Sequence, residues 1–254
     1  MSAQASRIRV IGFDLDDTLW SIEPVIRRAN RVLFDWLEAR YPRITRGHTP
    51  ESLHAVCLDY MRARPADRHD LTALRKAFLH HLGREARYVE DFAEEAFAAF
   101  YAARNEVTLF PEVEGVLAQL ARDHALVALS NGNACIQRTG LGRYFRLAVN
   151  SAEAGVGKPD PRMFHLALER LGEPAEAMVH VGDHPEHDVL GAGNAGVRAI
   201  WLNRPGMDWP GHEAAPCPII KDLTQLPPLV AGMAAPLGPL SPASTQYGTA
   251  LETP

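Results

Sequence analysis

The apolar positions of this chain follow two rhythms. Short continuous runs at residues 10–13, 125–130, 147–150, 178–182 and 198–202 predict strands buried on both faces of a parallel sheet. Longer stretches repeat at helical spacing. Val25, Ile26, Ala29, Val32, Leu33, Trp36 and Leu37 form one stripe, which Pro42 ends. Leu53, Val56, Cys57 and Tyr60 form another, behind Thr49 and Pro50. Two more helices are predicted over residues 71–82 and 89–104. Further on, helices are expected from Pro111 to Leu120, then over residues 136–141, 160–171 and 188–195.

Their order divides the chain. After Thr108, strands alternate with helices, as a parallel α/β sheet requires. Between residues 24 and 104 there are helices only. That is far longer than the dozen or so residues a crossover needs. The expected architecture is therefore a Rossmann-like parallel sheet core, residues 1–20 and 105–226, interrupted by an all-helical domain over residues 21–104. Residues 227–254 are rich in Pro, Ala, Gly, Ser and Thr, which predicts a tail without fixed structure.

Composition narrows the class of function. With 254 residues, 46% hydrophobic, 22% charged and a net charge of −5, the chain is an ordinary soluble globular one. Its charges are interspersed, so neither a nucleic-acid stripe nor a membrane-surface patch is expected. No apolar run is long enough to span a bilayer, and the first residues lack an apolar signal segment, so a cytoplasmic location is expected. Cys57, Cys135 and Cys217 are isolated, which suggests neither a disulfide framework nor a zinc site.

The candidate chemistry sits at the strand exits. The first strand ends on Asp14, Asp16 and Asp17, with Thr18 behind them. Clustered carboxylates at the end of a buried strand oppose stability, because like charges repel and ions resist desolvation. In open α/β sheets, ligands bind beyond the carboxyl ends of the strands. Ser130-Asn131-Gly132 follows the second predicted strand and offers a hydroxyl and turn amides to a phosphate. Lys158 lies in a Gly/Pro loop, residues 155–161. Asp183 and Asp188 follow the strand at 178–182 and add two hard oxygen ligands suited to Mg²⁺. His184 and His187 are expected to cap or face solvent, and His80 and His81 to lie on a helix surface. Trp20 leads toward the helical insertion and is a candidate wall of the substrate pocket, whereas Phe34, Trp36 and Tyr60 are expected to pack within the insertion.

The order Asp-x-Asp-x-Thr, Ser, Lys, Gly-Asp-x4-Asp, each piece at a strand exit, resembles the haloacid dehalogenase superfamily, in its phosphatase branch with a helical cap. The resemblance covers about residues 7–205. Phe13 through Trp20, Pro24-Val25-Ile26, Ser130 through Asn133 and His180 through Asp183 are similar to bacterial phosphatases acting on flavin mononucleotide and the phosphorylated pyrimidine precursor of riboflavin. The loop holding His184, Pro185 and His187 departs from the acid- and Thr-rich version of that group.

The resemblance implies a hydrolase of small phosphorylated metabolites, monomeric or a small homo-oligomer. In it Asp14 is the nucleophile and Asp16 the general acid and base. Asp14, the Asp16 carbonyl, Asp183 and Asp188 form the metal site, with Asp188 supporting a metal-bound water and Lys158. Ser130, the Asn131 amide and Lys158 hold the phosphoryl oxygens, and Thr18 orients the loop. Three carboxylates against one ammonium would repel a dianionic phosphate at about 4 kcal/mol per close pair, so a dication is implied. Two other activities fit the same pieces: a metal-free haloacid dehalogenase, against which Asp16 speaks, and a phospho-receiver without turnover, against which the cap speaks.

Overall fold

The strand that carries the acids, β1 (Val10–Phe13), is buried along its whole length. A computed structural model describes residues 7–211 and 214–233. After β1 come five helices without a strand: α1 (Ile22–Arg40), α2 (Pro42–Thr45), α3 (Pro50–Arg62), α4 (Leu71–Glu85) and α5 (Ala93–Arg104). Alternation then returns with α6 (Val113–Leu120), β2 (Ala125–Ser130), β3 (Phe145–Asn150), α7 (Ser151–Ala154) and α8 (Arg162–Leu171). The chain continues through β4 (Met178–Gly182), a wide π-helical turn (Pro185–Leu190), α9 (Gly191–Asn194), β5 (Arg198–Leu202), β6 (Ile219–Ile220) and α10 (Leu226–Gly232). All six strands run parallel, in the order β3-β2-β1-β4-β5-β6.

The register aligns the strand exits. Phe13 pairs with Ala128 on one side and Val181 on the other, so the loops after β1, β2 and β4 leave the sheet at one level. Apolar residues on both sheet faces explain why the strands read as continuous runs. Ile11, Phe13, Val179, Val181 and Ile200 pack with Val113 and Leu117 of α6 on one face. Val10, Val127, Leu129 and Met178 pack with Met163, Phe164 and Ala167 of α8 on the other. The helices α1 to α5 enclose a separate apolar cluster of Leu33, Phe34, Leu37, Leu53, Cys57, Phe78, Leu79 and Phe100.

Several boundaries differ from the sequence expectation. Val89 is 96% exposed and α5 begins only at Ala93, because Phe92 is the residue that turns inward. Residues 136–141 form turns closed on the Cys135 carbonyl, and no helix. The stretch at 188–195 starts earlier, with the π-helical turn, and then tightens into α9. The sheet is closed by β6 and not by β5. Residues 227–232 belong to α10, whose Leu226 and Val230 are buried against the sheet, so this part of the expected tail is ordered. The remainder, residues 234–254, lies outside the described residues. Among the described residues no helix is long and apolar enough to cross a membrane.

Candidate active site

Four strand exits build one pocket, lined by Asp14, Asp16, Ser130, Lys158, Asp183 and Asp188. Asp14 follows β1 directly, and its amide donates to Val181 O at 2.9 Å, which ties it to β4. One carboxylate oxygen from each of Asp14, Asp183 and Asp188 lies within 4.8 Å of the others. Lys158 is the buried cation among them: Nζ donates to Asp14 Oδ1 at 2.7 Å and to Asp188 Oδ1 at 2.5 Å.

Each functional side chain has a support. The Asn131 amide clamps the Lys158 backbone from both sides, accepting from Lys158 N at 2.7 Å and donating to Lys158 O at 2.9 Å. His180, inside β4, has its Nε2 2.9 Å from Asp188 Oδ1. The His184 amide donates to Asp188 Oδ2 at 3.0 Å. Asp188 can approach so closely only because residue 182 is glycine, since a Cβ there would lie 2.1 Å from Asp188 Cγ. Thr18 Oγ1 donates to Asp183 Oδ1 at 3.2 Å, and the Trp201 indole donates to Asp183 O at 2.7 Å. Asp16 is gripped by two donors, Trp20 Nε1 at 2.9 Å and Arg104 Nη2 at 2.6 Å.

The charges do not balance. One ammonium serves two buried carboxylates, and the shortfall is shared unequally. Burial works against ionisation of Asp188, but Lys158 and His180 overcome it and hold the carboxyl below the usual range. Burial raises the Asp14 carboxyl well above its usual range; Lys158 opposes this, while Asp188 and Asp183 add to it. Asp183 is pushed up to about 7, by burial and then by Asp188 and Asp17. Burial pulls the Lys158 ammonium down, yet Asp14 and Asp188 together raise it. Asp16 is raised by burial despite Arg104 and Trp20. Two converging carboxylates that resist ionisation are what a divalent cation with hard oxygen ligands would relieve. The donor set therefore fits Mg²⁺.

The structure brings together Asp14, Asp16, Ser130, Asn131, Lys158, Asp183 and Asp188 in the pocket. Thr18 and Trp20 stand differently from the expectation. Thr18 has no exposed surface and orients Asp183, and Trp20 has none either, so its ring is core and its indole N–H holds Asp16 instead of lining the pocket. Asn131 uses its side chain to fix Lys158, a role its place in an Asn-Gly turn does not reveal. His184 caps the turn after it, accepting at Nδ1 from Glu186 N and His187 N, both at 3.2 Å. The sequence motifs assign no role to Arg104, and His180 enters them only as the first residue of the stretch ending at Asp183. A histidine inside a wholly apolar strand was a usable signal, because a buried imidazole needs a partner. An arginine in the last turn of a helix reads simply as a complement to the helix dipole.

The family described as haloacid dehalogenase-like hydrolase matches residues 8–196. The 5-amino-6-(5-phospho-D-ribitylamino)uracil phosphatase of Escherichia coli is 34% identical over 203 residues, 77% of this chain and 84% of that protein. The phosphoserine phosphatase of Thermus thermophilus is 40% identical over 148 residues, 56% of this chain and 59% of that protein. A crystal structure described as a 2-haloacid dehalogenase from Pseudomonas syringae superposes with a TM-score of 0.80 at 40% identity, covering 88% of this chain and 98% of that one.

Proposed function

The chain belongs to the haloacid dehalogenase-like hydrolase family, and we propose that it is a Mg²⁺-dependent phosphomonoester hydrolase working through an aspartyl-phosphate on Asp14. The observation that carries this is the convergence of Asp14, Asp183 and Asp188 within 4.8 Å around a charge deficit that the buried Lys158 does not fill.

The chemistry follows from the geometry. Asp14 sits at the tip of β1 and attacks phosphorus, forming the acyl phosphate as the P–O bond to the alcohol breaks. Asp16 gives its proton to the departing alkoxide, then takes one from the water that cleaves the acyl phosphate. Burial raises its carboxyl, which favours the protonated starting form, and Arg104 favours the ionised form needed afterwards. Ser130, the Asn131 backbone N–H and Lys158 receive the phosphoryl oxygens. The Asp14 and Asp183 carboxylates and the Asp16 carbonyl would hold Mg²⁺, with Asp188 behind them fixing Lys158. Mg²⁺, when bound, supplies neutralisation of charge on the transferred phosphoryl group. The helices α1 to α5, residues 21–104, act as a cap over this pocket.

The substrate is a small phosphorylated metabolite of the cytoplasm. The Escherichia coli relative nominates the phosphorylated ribitylamino-pyrimidine for first assay, and the resemblance in the sequence motifs adds flavin mononucleotide. The decisive experiment assays a panel of these two, sugar phosphates and nucleotides, with Mg²⁺ or with EDTA. Phosphate release only with Mg²⁺ is expected, and release undiminished by exhaustive chelation overturns the proposal.

A second activity is favoured by the Pseudomonas structure described as a dehalogenase. Displacement of halide by a carboxylate needs no cation, so chloride release from a 2-chloroacid in EDTA would establish it.

A further inference from the structure

The cap interior holds a charge that the chemistry above does not use. Arg75 of α4 is only 7% exposed. Its Nη1 donates to Asn30 Oδ1 at 3.2 Å, and its guanidinium lies over the Phe100 ring, 3.8 Å from the centroid. Neither partner carries negative charge, and among the described residues no carboxylate forms an ion pair with Arg75. Buried charges are ordinarily paired or hold a ligand.

Its neighbours are also short of acceptors. Asn30 Nδ2 and Arg104 Nη1 are both buried and, among the described residues, have no hydrogen-bond partner, although Asn30 is 8% and Arg104 2% exposed. The other arm of Arg104 is the one that holds Asp16. Arg104 is near enough to Arg75 to help lower its pKa, behind burial as the main cause. Thr72, one turn before Arg75 on the same helix, lines a crevice of about 70 Å³ with Asp70, Tyr101 and Asn133, and Asn30, Arg75 and Arg104 stand behind that lining. That crevice shares Asn131 and Gly132 with the active-site pocket. Residue 132 has to be small there, because a Cβ would lie 2.7 Å from Asp16 Oδ2 and 3.3 Å from Arg104 Nη2.

The unpartnered atoms of Asn30 and Arg104 are donors, so the complementary ligand offers them acceptors; His54 Nδ1, also buried without a partner among the described residues and close enough to Arg75 to feel its charge, can take either role. Asp16 marks where the alcohol oxygen departs, and Arg104 leads from Asp16 into the cap. We infer that Asn30, Arg75 and Arg104 form a subsite for an oxyanion carried by the leaving group, so that the preferred substrate is a phosphomonoester whose alcohol portion bears a carboxylate or a second phosphate. This rests on the phosphatase assignment and narrows its substrate toward acid-bearing esters and away from uncharged flavin-type alcohols.

The test uses the full chain with Mg²⁺ and pairs of esters matched in size. Phosphoserine against ethanolamine phosphate, and 3-phosphoglycerate against glycerol 3-phosphate, differ by a carboxylate. Fructose bisphosphate against fructose 6-phosphate differs by a phosphate, so the two kinds of pair distinguish the sources of the oxyanion. The acid-bearing member of at least one kind is expected to be preferred about tenfold or more in kcat/KM. In Arg75→Gln that preference should collapse to about twofold or less, mainly through KM, and Arg75→Lys should restore part of it. If Arg75→Gln does not fold, the wild-type ratios decide alone. Ratios near one in the wild type, or flavin mononucleotide outperforming every acid-bearing ester, overturn the inference and leave the phosphatase assignment standing. No phosphate release from any ester in Mg²⁺ defeats the phosphatase assignment itself.

Discussion

Lys158 and Asp14 touch at 2.7 Å, and changing either should have opposite effects on stability and chemistry. Asp14→Asn removes one member of an over-supplied pair of carboxylates. Turnover should fall by at least about a thousandfold, while the melting temperature stays level or rises; steady-state assay and thermal unfolding of the same preparation check both. Lys158→Met leaves Asp14 and Asp188 buried without their cation. Its cost should be about 3–5 kcal/mol, read from urea unfolding in EDTA, with part regained on adding Mg²⁺. At this scale the sequence showed which residue types were present but not what each one touches. The Asp-x-Asp-x-Thr acids were visible at once, because carboxylates after an apolar run are conspicuous. The grip of Arg104 on Asp16 spans 88 positions and leaves no local trace.

Elements were legible in proportion to how far local forces set them. β2 and β4 start and stop where their apolar runs do, since a strand buried on both faces has no polar position to spare. The start of α3 was equally plain. Thr49 and Ser52 form a reciprocal capping box that spans Pro50, and neither lines the pocket. Thr49→Ala should lower stability by about 1 kcal/mol, with an unchanged denaturant slope and unchanged kcat, in urea melts and parallel assays. The misread elements are those that tertiary contact creates. β6 has two residues and exists only because β5 offers it an edge. α10 contains two prolines, yet Leu226 and Val230 find the sheet-side core and hold it in place.

Across the whole molecule, the pocket couples folding to cation and proton. Asp14 and Asp183 have carboxyls raised above the usual range, Asp183 to about 7. In EDTA the folded chain therefore holds a proton on Asp183 that the unfolded chain has released, over about pH 4 to 7. Asp183 makes stability fall as pH rises through that window, and the raised Asp14 carboxyl acts in the same direction. Mg²⁺ competes with protons for the same oxygens, so its stabilising effect should be larger at pH 8 than at pH 5. At a hundred times its dissociation constant, that effect is about 2.7 kcal/mol. Thermal melts at both pH values, with EDTA and with Mg²⁺, measure it, and an equal shift at the two pH values would contradict the metal site.

The sequence by itself determined the sheet, the helical insertion and the acids, hydroxyl and lysine at the strand exits. Apolar periodicity and chain order act over a few residues and are written directly in the chain. Only the tertiary structure decided that Trp20 is core, that Asn131 clamps a backbone, that His180 stands behind Asp188 and that Arg75 has no counter-ion among the described residues. Those facts depend on which distant groups share a low-dielectric interior, where an unmatched charge or an unfilled hydrogen bond becomes costly enough to dictate what must bind there.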